Sequence, residues 1–188
     1  MNRFVAGICV VLVTGLLGAV APAEAVDLIT AKSGLEKAVA EAKKWKPDAV
    51  LAGVGTLNAK VDGTSFFWNY DFQSHKTNTC ARVIILATGK ATTQDYGNCT
   101  FSSKPIATTF VDSPAAVTAA KAGGFQAGEE INLSLTHRRD RNLTPSRECW
   151  SLSSPEHDFD KKNAVMRSWC VDPKSGKFVT RLAGEGGK

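Results

Sequence analysis

The chain has 188 residues, 43% hydrophobic and 22% charged, with a formal net charge of +5. That balance belongs to a folded globular protein and excludes a collagen-like, acidic-tailed or broadly disordered chain. The positive excess is also too small and too dispersed for a dedicated nucleic-acid binder.

Arg3 opens a positive start, Phe4 to Val20 form an apolar run, and Pro22 precedes Ala23-Glu24-Ala25 with small residues where a signal peptidase reads. This pattern predicts a signal peptide over residues 1–25, cleaved before Val26. No later stretch is long and apolar enough to span a bilayer, so no stable membrane insertion is expected after cleavage. Cys9 leaves with the leader, and the five cysteines become four: Cys80, Cys99, Cys149 and Cys170. An even count suits an oxidising compartment, and a periplasmic or secreted location is expected.

In the mature chain, Ser33 with Glu36 has the spacing of a capping box and opens a helix to about Lys44, ended by Pro47. Leu35, Ala38, Ala42 and Trp45 form its apolar face, which makes Trp45 a core residue. Ala49 to Val61 reads as a strand with a bend, and Asp62-Gly63 as a hairpin turn. In the strand that follows, Phe66, Trp68, Tyr70 and Phe72 share one face. Arg82 to Leu86, the turn Thr88-Gly89-Lys90 and the return Ala91 to Asp95 complete the first half. With the turn centred between Gly89 and Lys90, Cys80 and Cys99 stand opposite each other and are expected to pair.

The second half starts at Asp112-Ser113-Pro114, a cap with Pro in the first turn of a helix that Gly123-Gly124 ends. Ile131, Leu133 and Leu135 alternate as a strand, and a polar, basic loop leads to a strand through Cys149-Trp150-Ser151-Leu152. The loop Ser153 to Asn163, a strand Val165 to Val171, the turn Asp172 to Lys177 and a last strand Phe178 to Leu182 follow. Cys149 and Cys170 are symmetric about the middle of that loop and are expected to pair across a hairpin. The alternative for the cysteines, a zinc site, lacks a C-x-x-C pair, and His75, His137 and His157 are scattered. No metal and no cofactor is expected.

The halves share Ala-Val-x-x-Ala-Lys at Ala38 to Lys43 and Ala116 to Lys121, a Trp-containing strand at Trp68 and Trp150, and closing turns with Thr88-Gly89-Lys90 and Ser175-Gly176-Lys177. This predicts a tandem α+β fold: two related units, 26–105 and 106–188, each a helix packed on an antiparallel sheet with a disulfide-stapled hairpin. The closing strand–turn–strand, Val171-Asp172-Pro173-Lys174-Ser175-Gly176-Lys177-Phe178, resembles the v-D-x-x-t-G-k ending of a PepSY domain, a small cystatin-like α+β unit that is often tandem. The first copy lacks the Asp. The resemblance implies a non-catalytic envelope or secreted protein that restrains peptidases or binds other proteins, and it carries over no catalytic residues.

Nucleophile and phosphate-loop signatures are missing from the sequence: no G-x-S-x-G, S-x-x-K, H-E-x-x-H or G-x-G-x-x-G occurs. The strongest positive feature is the run containing Arg138, Arg139 and Arg141, with Arg147 close behind and only Asp140 to offset it. Guanidinium forks suit carboxylates and phosphates, so these four arginines are the candidate binding residues. The expected partner is a protein or an anionic envelope component, and export argues against nucleic acid. A non-enzymatic binding protein is therefore the leading expectation. One alternative is a carrier of small apolar molecules that uses Phe66 to Phe72; the other is a hydrolase with dispersed residues such as His137 or His157.

Overall fold

The computed structural model describes residues 26–99, 104–160 and 165–183, so the expected signal peptide and residues 184–188 lie outside the described residues. Helix α1 (Leu35–Trp45) leads into four strands, β1 (Val50–Lys60), β2 (Phe67–Ser74), β3 (Thr79–Leu86) and β4 (Ala91–Asn98). Helix α2 (Ser113–Ala122) leads into β5 (Glu130–Asp140) and β6 (Leu143–Ser153). A helical turn α3 (Pro155–Asp158) and a two-residue ribbon, β7 (Phe159–Asp160) with β8 (Val165–Met166), come next, then β9 (Ser168–Val171) and β10 (Phe178–Leu182). Eight strands form one sheet in the order β10-β9-β6-β5-β1-β2-β3-β4, every neighbouring pair antiparallel.

That sheet corrects the expectation of two helix-on-sheet units. The halves do not close separate cores. β1 and β5 hydrogen-bond to each other, with Val54 opposite Leu135 and Gly55 opposite Ser134, so the sheet runs unbroken from one half into the other. α1 packs on β2, β3 and β4, and α2 on β6, β9 and β10, over one buried cluster that includes Ala38, Val54, Trp68, Tyr70, Val117, Leu135 and Trp150. The physical reason is exposure. Two four-stranded sheets would each leave a row of unpaired N–H and C=O groups along β1 and β5, and pairing those edges satisfies both rows and shields more apolar surface. The repeated motif located most of the strands and helices but was blind to which edges meet.

Two tryptophans hold the centre. Trp68 and Trp150 are fully buried and meet edge to face, with ring centroids 6.2 Å apart. Trp68 Nε1 donates to the Ile29 carbonyl and Trp150 Nε1 to the Val111 carbonyl, each at 2.9 Å and each 39 residues upstream. Both carbonyls belong to the chain just before a helix, so each indole positions one helix over the sheet. The two lead-in segments also bind each other: Ala31 N–H donates to Ser113 Oγ and Lys32 N–H to Asp112 Oδ1. Asp112 caps α2 as expected, whereas Ser33 does not cap α1; Gly34 holds that position and Ser33 hydrogen-bonds Thr30.

Both disulfides form as expected, Cys80–Cys99 and Cys149–Cys170. The register that led to the first is different, however. Ile85 faces Ala91 and Arg82 faces Gln94, which centres the turn on Thr88, and a bulge between Thr79 and Ala81 then brings Cys99 beside Cys80. Phe66 lies before β2 rather than within it and is exposed, while Trp68, Tyr70 and Phe72 are buried. Trp45 is half-buried, with its Nε1 donating to Asp95.

Three outcomes follow from this packing. Trp150→Ala should lower unfolding stability by about 3–5 kcal/mol in urea titration, because a buried indole and its anchor to Val111 are both lost. Removing Cys80 and Cys99 together should cost about 3 kcal/mol, since the bond closes a loop of sequence separation 19 in the unfolded chain. Tyr70 donates to the Ala31 carbonyl, and burial, with Asp112 nearby, holds its phenol well above the ordinary value of 10.0. A folded-state pKa raised above the unfolded one gives stability that is complete below that value and lost as pH rises past it. Wild-type stability should therefore fall above about pH 10 more steeply than that of Tyr70→Phe.

Candidate functional site

Helices α1 and α2 cover one face of the sheet, and among the described residues neither of them packs on the opposite face. The side chains on the helix-free face are set by the two-residue period of each strand. A cross-strand row runs Ile84, Asn69, Gly55, Ser134, Ser151, Cys170, each the ladder partner of the next. At its middle, β1 presents only glycine. A Cβ on Gly55 would lie 2.8 Å from the Leu133 carbonyl oxygen, and one on Gly53 would lie 3.3 Å from Thr136 and 3.4 Å from Asp71. The floor between the two halves is therefore bare backbone.

On the β5–β6 side of that floor lies a trough of about 270 Å³, lined by Asn132, Ser134, Arg138, Arg139, Ser151 and Ser153 among others. Arg138 lies across it. Its Nε donates to Ser151 Oγ at 2.9 Å and its Nη2 to Ser134 Oγ at 3.3 Å, so two hydroxyls fix the plane of the guanidinium. The remaining donors of the fork stay available. A bulge between Arg138 and Asp140 breaks the alternation, and Arg139 lines the same trough as its neighbour. Asp140 does not neutralise them: Oδ1 accepts from Asn142 N–H at 2.8 Å and Oδ2 from Ala183 N–H at 3.0 Å. Among the described residues no carboxylate lies within ion-pair distance of Arg138, Arg139 or Arg141. Two guanidinium groups with hydroxyl neighbours can take a planar oxyanion through two parallel hydrogen bonds.

The four candidate arginines thus separate. Arg138 and Arg139 share the trough, Arg141 is exposed at the β5–β6 turn, and Arg147 pairs with Asp172, whose Oδ1 also accepts from Ser175 N–H. The segment expected to be a basic loop is the end of a strand, and this is what aims two of the arginines. The serines were missed. Their signal was the alternation of Asn132, Ser134, Thr136 and Arg138 against Ile131, Leu133 and Leu135, which marks a polar face opposite a core face.

Asp158 is buried, accepting from Ser154 N–H at 2.8 Å and lying 3.7 Å from Arg181. His137 Nε2 lies 3.9 Å from Glu148 Oε1, and its buried Nδ1 has no hydrogen-bond partner. Among the described residues no group of three His, Cys, Asp or Glu side chains could hold a metal, and no helix is long and apolar enough to cross a membrane. Comparison with protein-family models, curated proteins and solved structures finds no match.

The glycine floor is testable by its cost. Gly55→Ala should destabilise by about 1–3 kcal/mol, because its Cβ meets backbone that the β1–β5 ladder holds in place. Gly53→Ala meets only side-chain ends and should cost less. Thermal or urea unfolding of the two variants measures the difference.

Proposed function

We propose that the protein is a non-enzymatic binding module of an oxidising compartment, periplasmic or secreted, that docks a carboxylate-bearing segment of another protein on the helix-free face. The observation that carries this reading is that Arg138 and Arg139 line one serine-lined trough, where the carboxylate that shares it, Asp140, is taken up by the backbone N–H groups of Asn142 and Ala183. Holding a guanidinium in place with neutral hydroxyls fixes its geometry while leaving its charge unspent, which suits recognition of an anion from outside. The net charge of +5 favours the same encounter at long range. The two disulfides fit an oxidising compartment. The peptidase-restraining role implied by the PepSY resemblance would be one instance of such docking.

A carrier of apolar molecules is the second reading, and placement weighs against its aromatic strand. Trp68, Tyr70 and Phe72 are packed beneath the helices, whereas the trough opens on the other face.

The test is titration with a synthetic peptide of four glutamates flanked by glycines, followed by calorimetry at low and at physiological salt. The expected result is saturable binding that weakens as salt rises and drops by about tenfold or more in Arg138→Glu/Arg139→Glu, with Arg147→Ala close to wild type. Salt-insensitive binding, or binding that the Arg138→Glu/Arg139→Glu pair leaves unchanged, would overturn the assignment. Cross-linking in envelope extract with the same variants then identifies the partner.

A further inference from the structure

The eight-stranded sheet ends in two edges, and the chain treats them differently. Along β10, the Arg181 carbonyl accepts from Asn142 Nδ2 at 3.1 Å and the Ala183 N–H donates to Asp140 Oδ2 at 3.0 Å, so the β5–β6 turn closes over that edge. Along β4, among the described residues, no strand or side chain takes the outer backbone groups. Which groups these are follows from β3, whose residues alternate between its two neighbours. Ala87 N–H donates to the Phe66 carbonyl at 2.7 Å, on the β2 side, and Leu86 N–H to the Lys90 carbonyl at 2.9 Å, on the β4 side. Ile84 and Arg82 therefore bond to Thr92 and Gln94. Ala91, Thr93 and Asp95, opposite Ile85, Val83 and Ala81, turn their N–H and C=O outward.

An open edge invites another strand, and native chains guard against this with lysine, proline or a bulge. From Ala91 to Tyr96 there is no Lys and no Pro, and the register is unbroken from Ala91 to Asp95. The one charge in this stretch is engaged: Asp95 Oδ2 accepts from Trp45 Nε1 and Oδ1 from Gly97 N–H, each at 2.8 Å.

The edge is also complementary to itself. Turned antiparallel about Thr93, it sets Thr93 opposite Thr93 and Ala91 opposite Asp95, and each of these pairs exchanges two backbone bonds. Thr92 then faces Gln94 and Lys90 faces Tyr96, so no like charges meet. Tyr96 is 53% exposed. With Asp71 and Arg82 it walls a cavity of about 340 Å³ on the helix-free face, and Arg82 lies 5.8 Å from its ring centre. The opposed lysine supplies a second cation to the same ring. Any strand can use the backbone groups; the side-chain match belongs to a second copy.

We propose that β4 is the edge through which two copies of this chain pair, antiparallel about Thr93, as a two-fold dimer with one sheet running through both. The helix-free faces then join, and two arginine troughs lie on one surface. The troughs take no part in the contact.

The experiment is sedimentation equilibrium of the oxidised mature chain from about 10 μM to about 1 mM, with amide hydrogen exchange at both ends of the range. The expected species is a dimer that dissociates on dilution. Exchange at Ala91, Thr93 and Asp95 should slow as concentration rises, while Thr92 and Gln94 stay protected throughout. Thr93→Pro deletes an outward N–H and no β3–β4 bond, so it should keep the fold and weaken the dimer about tenfold or more. Arg138→Glu/Arg139→Glu should dimerise as the wild type does. A monomer at every concentration, a dimer whose three amides exchange as in the monomer, or a dimer that folded Thr93→Pro retains would each refute the proposal. Slow exchange at those amides seen only in envelope extract would give the edge to another protein's strand and refute it as well. The wild-type exchange pattern decides these outcomes even if Thr93→Pro fails to fold.

Discussion

The pairing of β1 with β5 is the constraint on which the remainder of the structure depends. It joins two runs of four strands at a place where each would otherwise end in an open edge. Everything central lies near this seam. Trp68 and Trp150 meet over it, and the segments leading into α1 and α2 hydrogen-bond across it through Ala31, Ser113, Lys32 and Asp112. Because both helices then sit over one shared core, their weight falls on a single face. The opposite face is left as a broad polar surface, which a pair of independent units would not have presented as one piece.

The same seam shapes the candidate sites. Where β1 approaches β5 most closely, Gly55 stands at a position whose Cβ would strike the Leu133 carbonyl. The glycines thus serve the ladder first, and the bare floor between the arginine trough and the cavity beside Tyr96 is a consequence. On one side Arg138 is held by two serines rather than by a carboxylate; on the other Arg82 pairs with Asp71. One face therefore carries two cavities, one lined by arginines and serines and one beside the Asp71–Arg82 pair.

Much of the local structure was legible in the residues. The Asp112-Ser113-Pro114 cap, the alternation of Trp68, Tyr70 and Phe72, and the Asp172 to Lys177 turn each depend on neighbours within a few positions, where propensity and period act directly. The cysteine pairings were reachable for the same reason, since both bonds close between strands adjacent in the sheet. Less legible were register and aim. The β3–β4 turn centres on Thr88 and not between Gly89 and Lys90, and a bulge absorbs the difference before Cys99. A second bulge turns Arg139 toward the trough that holds Arg138, which a basic run in the sequence does not reveal.

By itself the sequence determined most of the helices and strands, their order, the two disulfide pairs and the presence of an arginine-rich segment. These follow from composition, spacing and short-range hydrogen bonding. Only the tertiary structure decided that the halves share one sheet and one core, and which arginines line one trough. Those outcomes depend on contacts between residues far apart in the chain: edge pairing, ladder register and the burial each imposes. Such contacts are selected by the summed exclusion of water and satisfaction of backbone groups over the whole fold.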